Sequence, residues 1–315
     1  MTEADAILRA AQLLRDGGLV AFPTETVYGL GADASSATAV ARLYAAKGRP
    51  ADHPVIVHFA EAEIAFTWAR EVPDAARRLA AKFWPGPLTM VLKRSAKAKD
   101  FVTGGQDSVG LRVPSHPVAR ALLKAFGDGV AAPSANEFGN VSPTEALHVR
   151  TDLGTKVDLV LEGGASEVGI ESTIVDLSGG SVVLLRPGRI TPEDIERELK
   201  VKVATPDASS PRHSGGLERH YAPRTPALLV PMHALDAEIA KRGDAVAVLA
   251  FSRPDERVDY WIRMPRDPAG YARRLYAALR ELDGANCATI LVEAPPETEE
   301  WNAVRDRLSR ATRPL

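Results

Sequence analysis

The chain has 315 residues, 45% of them hydrophobic and 25% charged, which excludes wholesale disorder and suggests about two domains at roughly 150 residues each. It carries 39 Lys and Arg against 41 Asp and Glu, a net charge of -2. Binding of nucleic acid by bulk charge is therefore excluded, and any polyanion site must be a local patch. A single cysteine, Cys287, rules out a disulfide framework and a Cys-rich metal site.

The start, MTEADAILRAAQ, is acidic and amphipathic. It reads as a helix with Ile7, Ala10, Ala11 and Leu14 on one face, not as a signal or transit peptide, and no apolar run reaches the ~18 residues of a membrane span. A cytoplasmic location is expected. Residues 19–22 read as a strand stopped by Pro23, and 24–31 as a polar loop. A helix over 36–47 ends at Lys47-Gly48. The alternation continues with a strand at 54–59, a helix at 74–83, strands at 88–92 and 109–113, a helix at 116–126 and a strand at 130–132. In the 109–113 strand, Val109, Leu111 and Val113 alternate with Gly110 and Arg112, so Arg112 leaves the face opposite the core. Residues 172–177 and 181–185 predict a hairpin, and Thr191-Pro192 opens a helix. Residues 204–226 show no apolar period and read as a boundary. Strands at 228–230, 246–251 and 289–292 and helices near 268–283 and 299–311 follow.

Familiar signatures are missing. No Gly-Lys dipeptide occurs, no histidines pair at i, i+4, and there is no G-x-S-x-G elbow. What remains is a set of small polar clusters. Lys47 and Arg49 flank a glycine at a helix end; they suit a phosphate chain, but taken alone they fit better the helix terminus that favours lysine and glycine. The stretch 133–136, Pro-Ser-Ala-Asn, follows a short strand, where donors for phosphate or ribose are common and so are ordinary Ser/Asn turns. Arg112 is either a solvated face residue or, in a cleft, a carboxylate receptor. Residues 23–31, Glu171-Ser172-Thr173 with Arg186, and Arg219-His220-Tyr221 each have a similar pair of readings.

Together and in order, FPTETVYGLG (22–31), KGRP (47–50), PVIVH (54–58), FWPGPLT (83–89), SVGLRVPSHP (108–117), APSAN (132–136), SPT (142–144), ESTIVD (171–176) and LLRPG (184–188) resemble the YrdC-like family. RHYAPRTP (219–226), followed by a second domain, resembles its long, two-domain threonylcarbamoyl-AMP synthases. The resemblance implies an α/β fold: a YrdC-like twisted open sheet with flanking helices over 1–205, a linker or lid over 206–226, and a smaller Rossmann-like α/β domain over 227–315. It implies that ATP, L-threonine and bicarbonate or CO2 give L-threonylcarbamoyl-adenylate and pyrophosphate, with Mg2+ carried by the ATP phosphates and not by protein side chains. A separate complex would then pass the threonylcarbamoyl group to tRNA; whether this chain touches tRNA is left open.

The family's Lys-x-Arg and Ser-x-Asn signature falls on Lys47, Arg49, Ser134 and Asn136, which are expected to be catalytic. His53, Ser108, Ser142, Arg186 and Tyr221 are expected to join them around ATP. Thr24, Thr26, His58, Arg112, the Ala132 backbone and Ser172 are expected to form the threonine pocket, with Arg112 on the carboxylate. The linker, with His220 and Tyr221, is the expected lid over a labile carbamate. Two positions depart from the family: Ser214-Gly215-Gly216 stands where Pro-Gly-Met is common before the Arg-His-Tyr, and His53 where a polar residue, often Asn, is common. Two other functions are weighed. A basic concavity could hold RNA, but the balanced charge and lack of an RNA motif argue against sequence-specific binding. Carbamoyl transfer for hydrogenase maturation goes with Cys-rich zinc modules that one cysteine cannot build.

Overall fold

The computed structural model describes residues 2–216, 219–243 and 246–315. These fall into two units: 2–138, 143–167 and 171–216 in the first, and 139–142, 168–170, 219–243 and 246–315 in the second. The stretch expected as a linker is thus divided, its residues up to 216 belonging to the first unit and those from 219 to the second.

Among the described residues the first unit holds a nine-stranded sheet: β1 (Val20–Phe22), β2 (Gly29–Asp33), β3 (Ile56–His58), β4 (Leu88–Lys93), β5 (Ser108–Arg112), β6 (Val130–Ala131), β7 (Leu159–Val160), β8 (Thr173–Asp176) and β9 (Val183–Arg186). Their order is β7-β1-β2-β6-β3-β5-β4-β8-β9. The sheet is mixed: β3 is parallel to β5 and β4 to β8, while β5–β4, β3–β6 and β8–β9 are antiparallel. The helix Glu3–Arg15 is closed by a complete Thr2/Asp5 capping box and buries Ile7, Ala10, Ala11 and Leu14. The helix Ala37–Lys47 starts at Ser36, whose side chain caps Ala39, and stops at Gly48 with φ 64, a left-handed conformation that glycine adopts without strain.

One expectation is corrected. The polar loop over 24–31 gives way at Gly29 to β2, which pairs with β1 on one side and β6 on the other. The reason is tertiary. A Cβ at Gly31 would sit 2.9 Å from the Phe22 ring and 3.0 Å from Val130, so a residue that reads as a turn former by composition is what lets three strands close up.

The second unit holds, among the described residues, a five-stranded parallel sheet. Its strands are β10 (Ala227–Val230), β11 (Val246–Ala250), β12 (Tyr260–Arg263), β13 (Thr289–Glu293) and β14 (Arg313–Pro314), in the order β12-β11-β13-β10-β14. β11, paired on both sides, is buried throughout, as an interior parallel strand requires. The helix Pro268–Asp283, capped by Asp267, buries Tyr271, Leu275, Tyr276, Ala278 and Leu279.

Candidate active site

Strand alternation builds the floor of the site in the first unit. On β5, Val109 and Leu111 join the apolar core with Val57 of β3, Met90 and Leu92 of β4 and Val175 of β8. Their neighbours turn to the other face: Ser108, Gly110 and Arg112 on β5, Ile56 and His58 on β3, Thr89 and Val91 on β4, and Ile174 on β8. The parallel register sets Ile56 against Gly110 and His58 against Arg112.

Arg112 is buried, not solvated. One guanidinium nitrogen donates to Oε1 of Glu25 at 2.7 Å, and its Nε donates to the Gly86 carbonyl at 3.4 Å. The two side chains of this ion pair are only 5% and 6% exposed. The other Glu25 oxygen accepts the Ser115 N–H at 3.0 Å. On either side of Glu25 the threonines are tied locally. The Thr24 hydroxyl lies 2.8 Å from that of Thr26, donates to the Val27 carbonyl and accepts the N–H groups of Thr26 and Val27, which fixes the turn carrying Glu25. His58 is buried; burial and the neighbouring Arg112 charge hold its imidazole well below the usual histidine range, so it is neutral. Its Nδ1 has no hydrogen-bond partner among the described residues. Ala132 donates its N–H to the Ile56 carbonyl at 3.0 Å, next to this group.

The expected phosphate-binding residues come together around the same floor. Lys47 is buried, and its ammonium donates to the carbonyls of Ser134 and Asn136, each at 2.6 Å. Burial and Arg49 push its pKa well below the usual lysine range. The Asn136 amide donates to the Glu137 carbonyl at 2.9 Å, and Phe138 N–H donates to the Lys47 carbonyl at 2.8 Å, so the 134–138 loop is stitched to the helix end. Arg49 donates to the Pro54 carbonyl at 2.8 Å and lies over the Phe138 ring at 5.5 Å. His53 packs edge-on against the same ring, its centroid 5.6 Å away; burial and then Arg49 lower its pKa. Arg186 donates from Nε to the Ser172 carbonyl at 3.0 Å and from Nη2 to the Ser172 hydroxyl at 3.1 Å, and that hydroxyl lies 2.8 Å from Thr89.

Ser214 links the two arginines. Its carbonyl accepts from Arg186 at 2.9 Å, and its hydroxyl faces Arg49 at 3.4 Å and donates to the Pro54 carbonyl at 3.0 Å. Beneath it, a cavity of about 20 Å³ is bounded by Ile56, Thr89, Ser108, Gly110, Ile174 and Ser214. Ser108 also lines an adjoining open groove of about 580 Å³, which runs past Asp176, Ser181 and Thr205. Two expected ATP contacts, Ser142 and Tyr221, lie in the second unit. There the Ser142 carbonyl accepts from Arg280 at 3.4 Å. Tyr221 is 1% exposed, with its ring 5.8 Å from Tyr276 and 5.5 Å beneath the Arg307 guanidinium.

Sequence reasoning assigns no role to Glu25 or Ser214. For Glu25 a signal exists, a lone carboxylate between two threonines just before a glycine-rich strand. For Ser214 the only signal is its departure from the family's Pro-Gly-Met; its contact with Pro54 spans 160 residues of chain and has no local mark.

The family model described as Telomere recombination, covering Sua5, YciO and YrdC, matches residues 12–188, more than half of the chain. The chain belongs to the Sua5/YciO/YrdC family. A second family model, described as Threonylcarbamoyl-AMP synthase, C-terminal domain, matches residues 190–312, so this Sua5/YciO/YrdC chain carries both parts. The threonylcarbamoyl-AMP synthase of Pyrococcus abyssi is 39% identical over 317 residues, covering 96% of this chain and 93% of that protein. The protein of the same name from Bacillus subtilis is 37% identical over 327 residues, covering 98% and 94%. The crystal structure of P. abyssi Sua5 complexed with L-threonine matches with a TM-score of 0.89 at 37% identity, over 98% of this chain and 96% of that one. No helix among the described residues is long and apolar enough to cross a membrane.

Proposed function

We propose that this protein is an L-threonylcarbamoyladenylate synthase, a nucleotidyltransferase that converts ATP, L-threonine and bicarbonate or CO2 to threonylcarbamoyl-AMP and pyrophosphate for the modification of tRNA. The observation that carries the reading is the buried Arg112, which already holds a carboxylate, that of Glu25, at 2.7 Å on the floor of the site. The same position receives the threonine carboxylate, with Thr24, Thr26, the neutral His58, the Ala132 backbone and Ser172 around the side chain. A bidentate arginine–carboxylate pair outweighs any one neutral hydrogen bond here.

Lys47, Arg49 and Arg186 then neutralise the triphosphate, and Ser108, Ser134 and Asn136 add neutral donors and acceptors. A groove of about 580 Å³ beyond Ser108 is of the size a nucleotide needs. Triphosphate binding exchanges the contacts that Ser214 now makes with Arg49 and Arg186 for phosphate oxygens. The work asked of these side chains is positioning and charge neutralisation while a carbamate oxygen displaces pyrophosphate at the α-phosphorus. Mg2+ would arrive with ATP. Its ligands would be phosphate oxygens and water.

The test is pyrophosphate release from ATP by the purified full-length chain. Release that requires both L-threonine and bicarbonate is expected; none under any combination overturns the reading. Arg112→Ala should raise the apparent KM for threonine by at least tenfold, in line with the ~2–5 kcal/mol lost with a desolvated charge pair.

A further inference from the structure

We propose that Glu25 is the group that receives the ammonium of the amino-acid substrate and takes its proton. The proposal rests on the reading of Arg112 as the carboxylate receptor and deepens it. The charges of a site shut off from water must balance. Arg112 and Glu25 are one cation and one anion at 2.7 Å, each almost fully buried. The ionisable neighbours of the pair do not change the count: His58, beside Arg112 on β3, is neutral. His116, next to Ser115, is engaged by the Val118 N–H and the Gly163 carbonyl. The hydroxyls of Thr24 and Thr26 are turned to each other and to Val27.

A second carboxylate arriving at Arg112 leaves two anions facing one guanidinium, and a buried uncompensated charge is strongly disfavoured. An α-amino acid brings its own compensation. Its carboxylate takes the guanidinium and its ammonium takes Glu25, so the zwitterion enters the ion pair with no change in net charge. Glu25 is held for this by the Ser115 N–H on its second oxygen and by the Thr24 turn on its backbone.

The same arrangement supplies the proton transfer that chemistry on nitrogen requires. One ammonium N–H bond breaks, its proton forms an O–H bond on Glu25, and the electron pair stays on nitrogen. That pair forms an N–C bond to the carbon of bicarbonate. The C–OH bond breaks, and the departing hydroxide takes one proton from nitrogen and leaves as water, giving the carbamate. Glu25 returns its proton to solvent when the product departs.

The test compares L-threonine with (R)-3-hydroxybutyrate, the same molecule without the amine, by calorimetry on the full-length protein at pH 7 in buffers of different ionisation enthalpy. In the wild type, threonine should bind at least about tenfold more tightly. Binding of hydroxybutyrate should draw about one proton from the buffer, and binding of threonine none. In Glu25→Gln, threonine should lose that advantage while hydroxybutyrate binds as well as or better than to the wild type, because Arg112 is released; Glu25→Asp should restore the preference. Parallel weakening of both ligands in Glu25→Gln, or hydroxybutyrate binding to the wild type without proton uptake, overturns the proposal. The wild-type proton measurement decides the matter even if Glu25→Gln does not fold. A wild type that binds neither ligand strikes instead at the threonine reading on which the proposal stands.

Discussion

Lys47 donates from its ammonium to the carbonyl of Asn136 at 2.6 Å, across 89 residues of chain. The Ser134 carbonyl takes a second of the three N–H donors. The lysine that the family signature marks for phosphate is therefore also the clasp on the loop that carries the other half of that signature. Lys47→Met, which keeps length but no donors, removes two charge-assisted hydrogen bonds worth ~1.5–3 kcal/mol each. The expected outcome is a loss of at least about 2 kcal/mol in urea unfolding, together with a large loss of ATP affinity by calorimetry. An unchanged unfolding midpoint would show that the loop does not depend on this clasp.

His58 makes stability depend on pH. Below about pH 6.5 an unfolded imidazole takes up a proton, while the buried one, its pKa held low by burial and Arg112, stays neutral. The unfolded state then binds more protons, so stability falls as pH drops below that point, by up to ~1.4 kcal/mol per pH unit, until the lower folded pKa is reached. His58→Phe removes this contribution. Unfolding free energies between pH 7.5 and 5.5 should fall more steeply for the wild type; parallel curves would refute the assignment.

Gly129 tests the packing behind the site. A Cβ there would lie 2.7 Å from Val57, 2.9 Å from Trp68 and 3.0 Å from Phe59, all core side chains. Gly129→Ala should cost ~1–3 kcal/mol through overpacking and lower the melting temperature. Threonine KM should be unchanged at a temperature where the variant is folded, since these three side chains belong to the apolar core on the sheet face opposite the Arg112 guanidinium.

Tyr271 tests the second unit. Its ring lies 5.4 Å from Phe251 and 5.5 Å from Trp301, but its hydroxyl is buried without a hydrogen-bond partner among the described residues, and burial raises its pKa. Tyr271→Phe keeps the aromatic packing and removes an uncompensated polar group. Unfolding should be unchanged or more difficult by ~1 kcal/mol. A clear loss of stability would mean that the hydroxyl has a partner in solution.

Much of this was legible from local order. The capping box at Thr2 and Asp5, the glycine stop at Gly48, the Val109/Leu111 alternation and the hairpin of β8 and β9 are set by neighbours within a few residues, where spacing and side-chain chemistry are strong guides. Arg112's face was readable for the same reason. Its environment was not: a period-2 pattern says which side a residue leaves, not what waits there. Composition also misleads at Gly31, where glycine signals a turn locally and a strand once Phe22 and Val130 close on it.

The order and chemistry of the motifs, read from the chain alone, determined the family, the two-part organisation and the identity of the cations. Only the tertiary structure decided how those charges are matched: Glu25 on Arg112, the Ser134 and Asn136 carbonyls on Lys47, and Ser214 between Arg49 and Arg186. The physical reason is that a buried charge must be compensated at hydrogen-bond distance. The compensating atoms come from strands and loops far apart in sequence, so no local pattern announces them.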